Sequence, residues 1–416
     1  MRDAMIGDRP PAFGARRPGV PDVGSPVCVR PVWAVVLLGL GYVGYFKGSP
    51  VLASTPIDLT LACAVGTACA CVATIVTGRH GAAPAPRSVL ALWLTFTIGA
   101  AGAALSDVGA AKSSYLFSIT LTAALAPFVL LSTARSRSWW IYGNVGAAAL
   151  MSLCLLVYPN LSYQATYGRL TPVGISTVES GRTIGAGVLV CFVLALSSKQ
   201  RLRLVWLAAG AAGVVLMLTV GSRGPLLSTV IAIVITMLLS KAFAQSRFIV
   251  LPATIGAVVG LGWLLYQLAW RSTLRLTDLL NGTQVDTNRR SLYGEAASLI
   301  EHHPLGVGWG GFGQYQAVTT GSYPHNIFLE ITVEGGWLAG LAMIAFVAVA
   351  LRRLLANSVS RDGAILFGLA VYWLLAAQTS SDVNGNRLTW TSLAIGFVYT
   401  MRAHPEIDPL RSARQS

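Results

Sequence analysis

Charge is what this chain has least of. Only 11% of its 416 residues are Asp, Glu, Lys or Arg, against about 25% in soluble globular proteins. That scarcity excludes an ordinary water-soluble enzyme and a disordered chain. Acidic residues are rarest, 16 against 30 basic. Cysteine is sparse as well. The six, Cys28, Cys63, Cys69, Cys71, Cys154 and Cys191, include no C-x-x-C pair. Five lie in apolar runs and none in an expected outer loop, which excludes a disulfide scaffold and a zinc framework. No internal repeat, coiled coil or separate soluble domain is visible.

Long apolar runs fill the space that charge leaves. Apolar residues make up 54% of the chain, and the mean hydropathy is +0.63. A helix needs about 20 apolar residues to cross a bilayer. Twelve runs qualify as candidate spans: near 31–46, 56–77, 88–106, 113–132, 139–158, 181–197, 204–220, 225–240, 248–268, 326–351, 363–381 and 388–401. The expected fold is therefore all-α: a polytopic integral membrane bundle over 31–403 with about twelve transmembrane helices. A basic arm rich in Pro, Gly and Arg, residues 1–30, is expected to be disordered and cytoplasmic. It has no apolar segment directly after Met1 of the kind a signal peptide carries. Residues 404–416 form a cytoplasmic tail.

The net charge of +14 would suggest nucleic acid in a soluble protein. Here its distribution favours membrane orientation, and no nucleic acid partner is expected. With the N-terminus inside, 20 of the 30 basic residues fall on the inner side, at every inner loop. Such a bias marks the cytoplasmic face and puts both termini there. Two outer connections are long, 159–180 and 269–325, the latter between spans 9 and 10. Long loops on a membrane protein are where binding concentrates. In the second, Leu292, Ala296, Leu299 and Ile300 recur at helical spacing until Pro304. The Gly-rich stretch GVGWGGFG follows. The loop reads as a cap of short helices over the outer mouth of the bundle.

Ten basic residues run against the orientation rule: Lys47, Lys112, Arg169, Arg182, Arg223, Arg271, Arg275, Arg289, Arg290 and Arg387. Eight are arginines, whose planar fork suits phosphate. Arg223, in GSRGPLLS between two apolar runs, either meets an anion, snorkels to headgroups or pairs with an acid such as Glu179. His325, in SYPHNIFLEITVEGG, starts an apolar helix. It suits either a general base near neutral pH or a helix cap. Glu330 and Glu334 share a face of that helix, where they are expected to pair with outer arginines and position them. The pair Gly335–Gly336 should bend it. His302 and His303 read as surface residues beside a helix stop, and no metal-ligand spacing is present.

Three passages together resemble a known family. GSRGPLLSTVIAIVI is similar to its short SRG turn and following span. NRRSLYGEAASLIEHHPLGVGWGGF is similar to an Arg-aromatic element that ends in a Gly-rich turn. SYPHNIFLEITVEGGWLAG is similar to an HN…ExG element. In this order they resemble the O-antigen ligase and O-antigen polymerase superfamily of bacterial membrane glycosyltransferases. The likeness is sharp over about 220–345. The upstream loop reads VESGRTIGAG where relatives often carry Asn-Pro or His-Pro-Asn, so Arg182 is placed by its position alone.

The resemblance implies transfer of a glycan from a polyprenyl diphosphate donor to a hydroxyl of a glycan or glycolipid acceptor. Transfer would occur on the outer face of the cytoplasmic membrane, without metal or other cofactor, and would invert the anomeric centre. It places His325 as general base and Arg223 and Arg289 as catalytic cations. Arg289 is chosen over Arg290 because it stands four residues before Tyr293. Arg182, Arg169, Arg290, Tyr293, Glu330 and Glu334 would contact diphosphate or glycan, and membrane lipids would surround the bundle. Ligase and polymerase remain alternatives. Two other readings stand beside them. One is a glycosyltransferase using polyprenyl monophosphate sugars, though its usual acidic residues are missing from the first outer loop. The other is a secondary transporter or lipid flippase, though paired broken helices in two related halves are not visible.

Overall fold

The computed structural model describes residues 32–77, 87–103, 107–167, 169–244, 252, 256, 287–315 and 323–399. The arm 1–30, the tail 404–416, the lower part of the 269–325 loop with Arg271 and Arg275, and almost all of the run near 248–268 lie outside these residues. Among the described residues the fold is all helical, with one isolated β-bridge between Pro159 and Pro172.

The helices begin and end where local chemistry allows. α1 (Val32–Phe46) and the short α2 (Pro50–Ala53) precede α3 (Leu59–Val76). Asp58 caps α3 by accepting from the N–H groups of Thr60 and Leu61. Next come α4 (Arg87–Ala103) and α5 (Asp107–Tyr115), which runs through a π-turn, Leu116–Thr120, into α6 (Leu121–Leu130). Thr133 caps α7 (Ala134–Val157), and α8 (Leu161–Tyr167) follows. α9 (Thr177–Ser197) opens with a reciprocal capping box between Ser176 and Glu179, satisfying two N–H groups that a helix start leaves open.

α10 (Gln200–Val220) and α11 (Arg223–Leu239) form a tight hairpin. Gly221 adopts the left-handed conformation, φ 66°, that closes α10. Two residues later Arg223 begins α11. α12 (Thr287–His302) and the short α13 (Phe312–Tyr315) belong to the cap. α14 (Ile327–Ala356), α15 (Arg361–Ala376) and α16 (Arg387–Tyr399) complete the bundle.

Eleven of the twelve apolar runs coincide with helices. Six helical stretches, 59–76, 107–130, 134–157, 177–197, 200–220 and 327–356, are long and apolar enough to cross a membrane. Three shorter apolar helices, 32–46, 87–101 and 223–239, stand beside them. By length and composition, then, the described residues support six spans rather than all twelve.

α9 lies at the centre, buried on nearly every face and packed against α7, α10, α11 and α15. α3 and α10 lie at the rim with exposed Leu61, Val65, Leu204 and Val205, the pattern of helices whose outer side meets lipid. The bundle has two unlike ends. Arg135 and Arg137, Lys199, Arg201 and Arg203, Lys241, Arg352, Arg353 and Arg361 all fall at one end, within a turn of helix termini. The opposite end gathers the starts of α9, α11, α14 and α16 and the ends of α10 and α15.

α14 bends as its glycine pair leads one to expect. Gly336 has φ 84° and ψ 173°, which breaks the helix into two segments. The break frees backbone groups that must find partners in a nonpolar setting. The Gly-rich turn supplies them. Val307 N–H donates to the Val333 carbonyl at 2.9 Å and Gly308 N–H to Glu334 at 3.0 Å, while Trp337 N–H donates to Pro304 at 3.0 Å. This turn is inserted into the bundle rather than laid over it. Trp309 is fully buried, and its Nε1 donates to the Phe96 carbonyl of α4 at 2.9 Å.

Candidate functional site

The polar end is organised by the connection 377–386 between α15 and α16. Arg182, in the second turn of α9, is fully buried and reaches into it. Its guanidinium donates to the carbonyls of Ala376 and Ser380, the latter at 2.9 Å, and to Ser381 Oγ at 2.9 Å. It also donates to Asn386 Oδ1 at 3.1 Å and Tyr45 Oη at 3.5 Å. Tyr372 in turn donates to the Arg182 carbonyl at 2.7 Å. The sequence places Arg182 on the diphosphate or the glycan of the donor. Here its two terminal nitrogens meet five protein acceptors, four of them in or at the edge of the connection, while its Nε is buried without a partner.

Two other helix starts meet the same connection. Arg223 is half-buried at the head of α11. A Cβ added to the next residue, Gly224, would come within 2.9 Å of the Thr379 side chain, so α11 is seated directly against the connection. Arg169 is also half-buried. Its neighbour Leu170 donates from its backbone N–H to the Thr219 carbonyl at 3.0 Å, beside the α10–α11 turn.

α14 arrives third. Asn326 caps it by accepting from the N–H groups of Phe328 and Leu329, and Ile327 N–H donates to the Ala377 carbonyl at 3.2 Å. His325 stands one residue before the cap with φ 56°. A left-handed conformation is unusual for a bulky residue, and such strain collects at functional positions. Among the described residues only Ser381, φ 64°, shares it outside glycine, and Ser381 is one of the acceptors of Arg182. The His325 ring is partly exposed and meets the Tyr323 ring edge to face, centroids 4.4 Å apart. Burial raises the Tyr323 phenol above its ordinary pKa, assisted by the charges of Asp382 and Glu330. Tyr323 escaped the sequence reading because an aromatic two residues before a histidine carries no periodic signal.

The two glutamates of α14 are fully buried. They had been expected to pair with arginines. Instead both meet Lys112 of α5, whose Nζ lies 2.6 Å from Glu330 Oε1 and 2.6 Å from Glu334 Oε2. Asn384 ties this cluster to the connection. It donates to the Lys112 carbonyl at 3.0 Å and accepts from Thr120 at 2.8 Å. In the sequence Lys112 is only one of the basic residues on the unexpected side.

The cap rests on the first segment of α14. Leu292, Ala296 and Ile300 of α12 form a small apolar cluster with Phe312 and Val333, flanked by Leu299 and Leu329. The helical stripe read from the sequence is therefore the face that docks. Tyr293 is half-buried on α12. Arg289 and Arg290 lie in its first turn, and their side chains fall outside the described residues. His302 is exposed at the end of α12, and His303 contacts the Tyr315 ring with centroids 5.4 Å apart. Among the described residues no three His, Cys, Asp or Glu side chains gather to hold a metal ion.

The chain thus brings Arg182, Arg223, His325 and Tyr323 to one connection at one end of the bundle. Comparison with known proteins adds one finding. Residues 212–344 match the family model of the O-antigen ligase, from the second half of α10 through the break in α14. The stretch contains Arg223, Arg289, Arg290, Tyr293, His325, Glu330 and Glu334, so the likeness read from the sequence is borne out over this part of the chain. No curated protein matches it.

Proposed function

We propose that this chain transfers a glycan from a polyprenyl diphosphate donor to an acceptor hydroxyl at the extracytoplasmic surface of a bacterial inner membrane. The observation that carries the reading is the seating of His325 and of Arg223-bearing α11 on one connection, within a stretch that matches the O-antigen ligase family. The concentration of basic residues at the opposite end supports a cytoplasmic assignment for that end, and with it the placement of the site outside.

In this reading the leaving group is a lipid diphosphate whose charge grows as the anomeric C–O bond breaks. Arg223 and Arg289 stabilise that charge, because preorganised cations supply the largest share of such catalysis. Arg169, Arg290 and Tyr293 contact the diphosphate or the glycan. His325 takes the proton of the acceptor hydroxyl as the oxygen attacks. A neutral imidazole is the form this step requires. A single displacement of this kind inverts the anomeric centre. Arg182, Glu330 and Glu334 act through the connection and through the bent helix that present these groups.

The test is direct. The full-length protein, purified in detergent, is incubated with a lipid-linked glycan and an acceptor glycolipid or glycan, without nucleotide, divalent metal or ion gradient. Appearance of the glycan on the acceptor supports the reading, and the acceptor used separates ligase from polymerase. Movement of substrate across sealed vesicles without any transfer would replace the enzyme with a transporter.

A further inference from the structure

Arg387 has no place in this reaction, yet its setting calls for a ligand. It is the first residue of α16 and only 7% exposed. Among the described residues its guanidinium makes no hydrogen bond and has no carboxylate within 4 Å, and its Nε is fully buried without a partner. Arg182, a short way off across Asn386, has five acceptors. The two acids whose charges act on it, Asp58 and Asp382, bond elsewhere. Asp58 receives Lys47 at 3.1 Å and the N–H of Thr60 at 2.9 Å, an arrangement that holds its carboxyl below the usual carboxylate range. Asp382 accepts from Gly385 N–H at 2.7 Å.

A buried guanidinium without a partner is strongly unfavourable. Its position makes matters worse, since a helix N-terminus is the positive end of the helix dipole and repels a cation. The surroundings are shaped to admit the group all the same. Gly44 of α1 faces it, and a Cβ there would come 2.4 Å from Nη2. Helix N-terminus, cation and cleared wall together favour an anion.

We propose that Arg387 binds the phosphate of an anionic phospholipid from the surrounding bilayer. Gly44 of α1 faces Arg387, and Tyr45 and, at the start of α3, Asp58 and Cys63 lie within electrostatic reach of it. The outward side of α3 is apolar and exposed at Leu61, Val65 and Val72, surface that lies against acyl chains in a membrane protein. An anion that reaches this edge of the bundle comes as a lipid headgroup. Phosphate matches the fork of arginine. The proposal does not draw on the transfer reading: Arg387 is seated on α1 at Gly44, whereas α11 with Arg223 is seated on Thr379. It stands whether or not the chain transfers glycans.

The experiment uses the full-length protein, wild type and Arg387→Leu, purified with extensive lipid removal. Thermal midpoints are measured in detergent alone and with added phosphatidylglycerol, phosphatidylcholine or inorganic phosphate. Native mass spectrometry records any lipid retained. Phosphatidylglycerol is expected to raise the wild-type midpoint by several degrees, with phosphatidylcholine and inorganic phosphate giving little. Arg387→Leu is expected to be at least as stable as wild type in lipid-free detergent and to lose the phosphatidylglycerol response and the retained lipid. An equal response in both proteins would overturn the proposal. So would a variant less stable without lipid, which would make Arg387 a structural strut. Full stabilisation by inorganic phosphate would make the ligand a soluble anion, and retention of polyprenyl diphosphate alone would make it the donor.

Discussion

Lys112 and Glu330 stand 218 positions apart in the chain and meet at 2.6 Å inside the bundle. The contact joins α5 to the half of α14 that begins beside His325, and Glu334, one turn on, shares the same ammonium. Two buried carboxylates face one cation there. Removing one member of such a group leaves a charge buried without its counterion, a loss of about 3–5 kcal/mol. Lys112→Met should therefore lower the thermal midpoint sharply and reduce the yield of monodisperse protein. Combining it with Glu330→Gln and Glu334→Gln removes the uncompensated charges and should recover much of the loss. If the triple variant is no more stable than Lys112→Met, the electrostatic account of the cluster is wrong.

Arg182 and Arg223 are both arginines at one end of the bundle, but they should respond differently to substitution. Arg182 satisfies the carbonyls of buried Ala376 and half-buried Ser380. Each buried acceptor left open costs about 1–3 kcal/mol. Arg182→Lys should thus destabilise the protein, since an ammonium cannot span five acceptors. Arg223→Lys should leave the thermal midpoint near wild type and impair transfer, because the fork geometry is lost while the charge stays. Unfolding curves and transfer assays on the same preparations separate the two. Equal stability loss in both variants would assign Arg223 to the scaffold.

His325→Ala should lower transfer by about 10²–10⁴-fold, the usual contribution of a general base. Expression and donor binding should persist, because holding a diphosphate needs no base. Replacing a left-handed histidine by glycine relieves strain, so His325→Gly should be at least as stable as His325→Ala while remaining inactive. Normal turnover in either variant would remove His325 from the chemistry.

Much of the architecture was legible in the sequence because a bilayer enforces it. Apolar runs in a bilayer had to become helices, and the eleven that fall within the described residues did. Of the basic residues assigned to inner loops, nine among the described residues, from Arg135 to Arg361, gather at one end. The stripe Leu292, Ala296, Ile300 and the bend at Gly335–Gly336 followed from spacing and from glycine alone. The connection 377–386 was not legible. QTSSDVNGN is a short polar stretch without periodicity, and nothing local says that a buried arginine from α9 will fold it. The partner of Glu330 was hidden for a related reason. Sequence shows that a buried acid needs a cation, but the choice of Lys112 over several arginines is made by the packing of α5 on α14. Arg387 stands among the basic residues of the unexpected side, and only burial reveals that it has no acceptor among the described residues.

The Gly-rich turn carries the last prediction. Gly306 has φ 88°, and a Cβ there would fall 2.4 Å from the Glu334 carbonyl oxygen. Gly306→Ala therefore meets two obstacles at once, a left-handed backbone, which costs about 1–3 kcal/mol, and a collision with rigid main chain. The turn would have to withdraw from the break in α14, which would strip Val333 and Glu334 of their donors. Trp309 would leave its place against Phe96, where the rings lie 5.2 Å apart. Gly294→Ala, on α12 with no atom near its Cβ direction, is the matched control and should be neutral or slightly stabilising. Tryptophan fluorescence and protease sensitivity should report the displaced turn in Gly306→Ala. If that variant behaves like Gly294→Ala, the turn does not close the break in solution, and the coupling between cap and bent helix has to be given up.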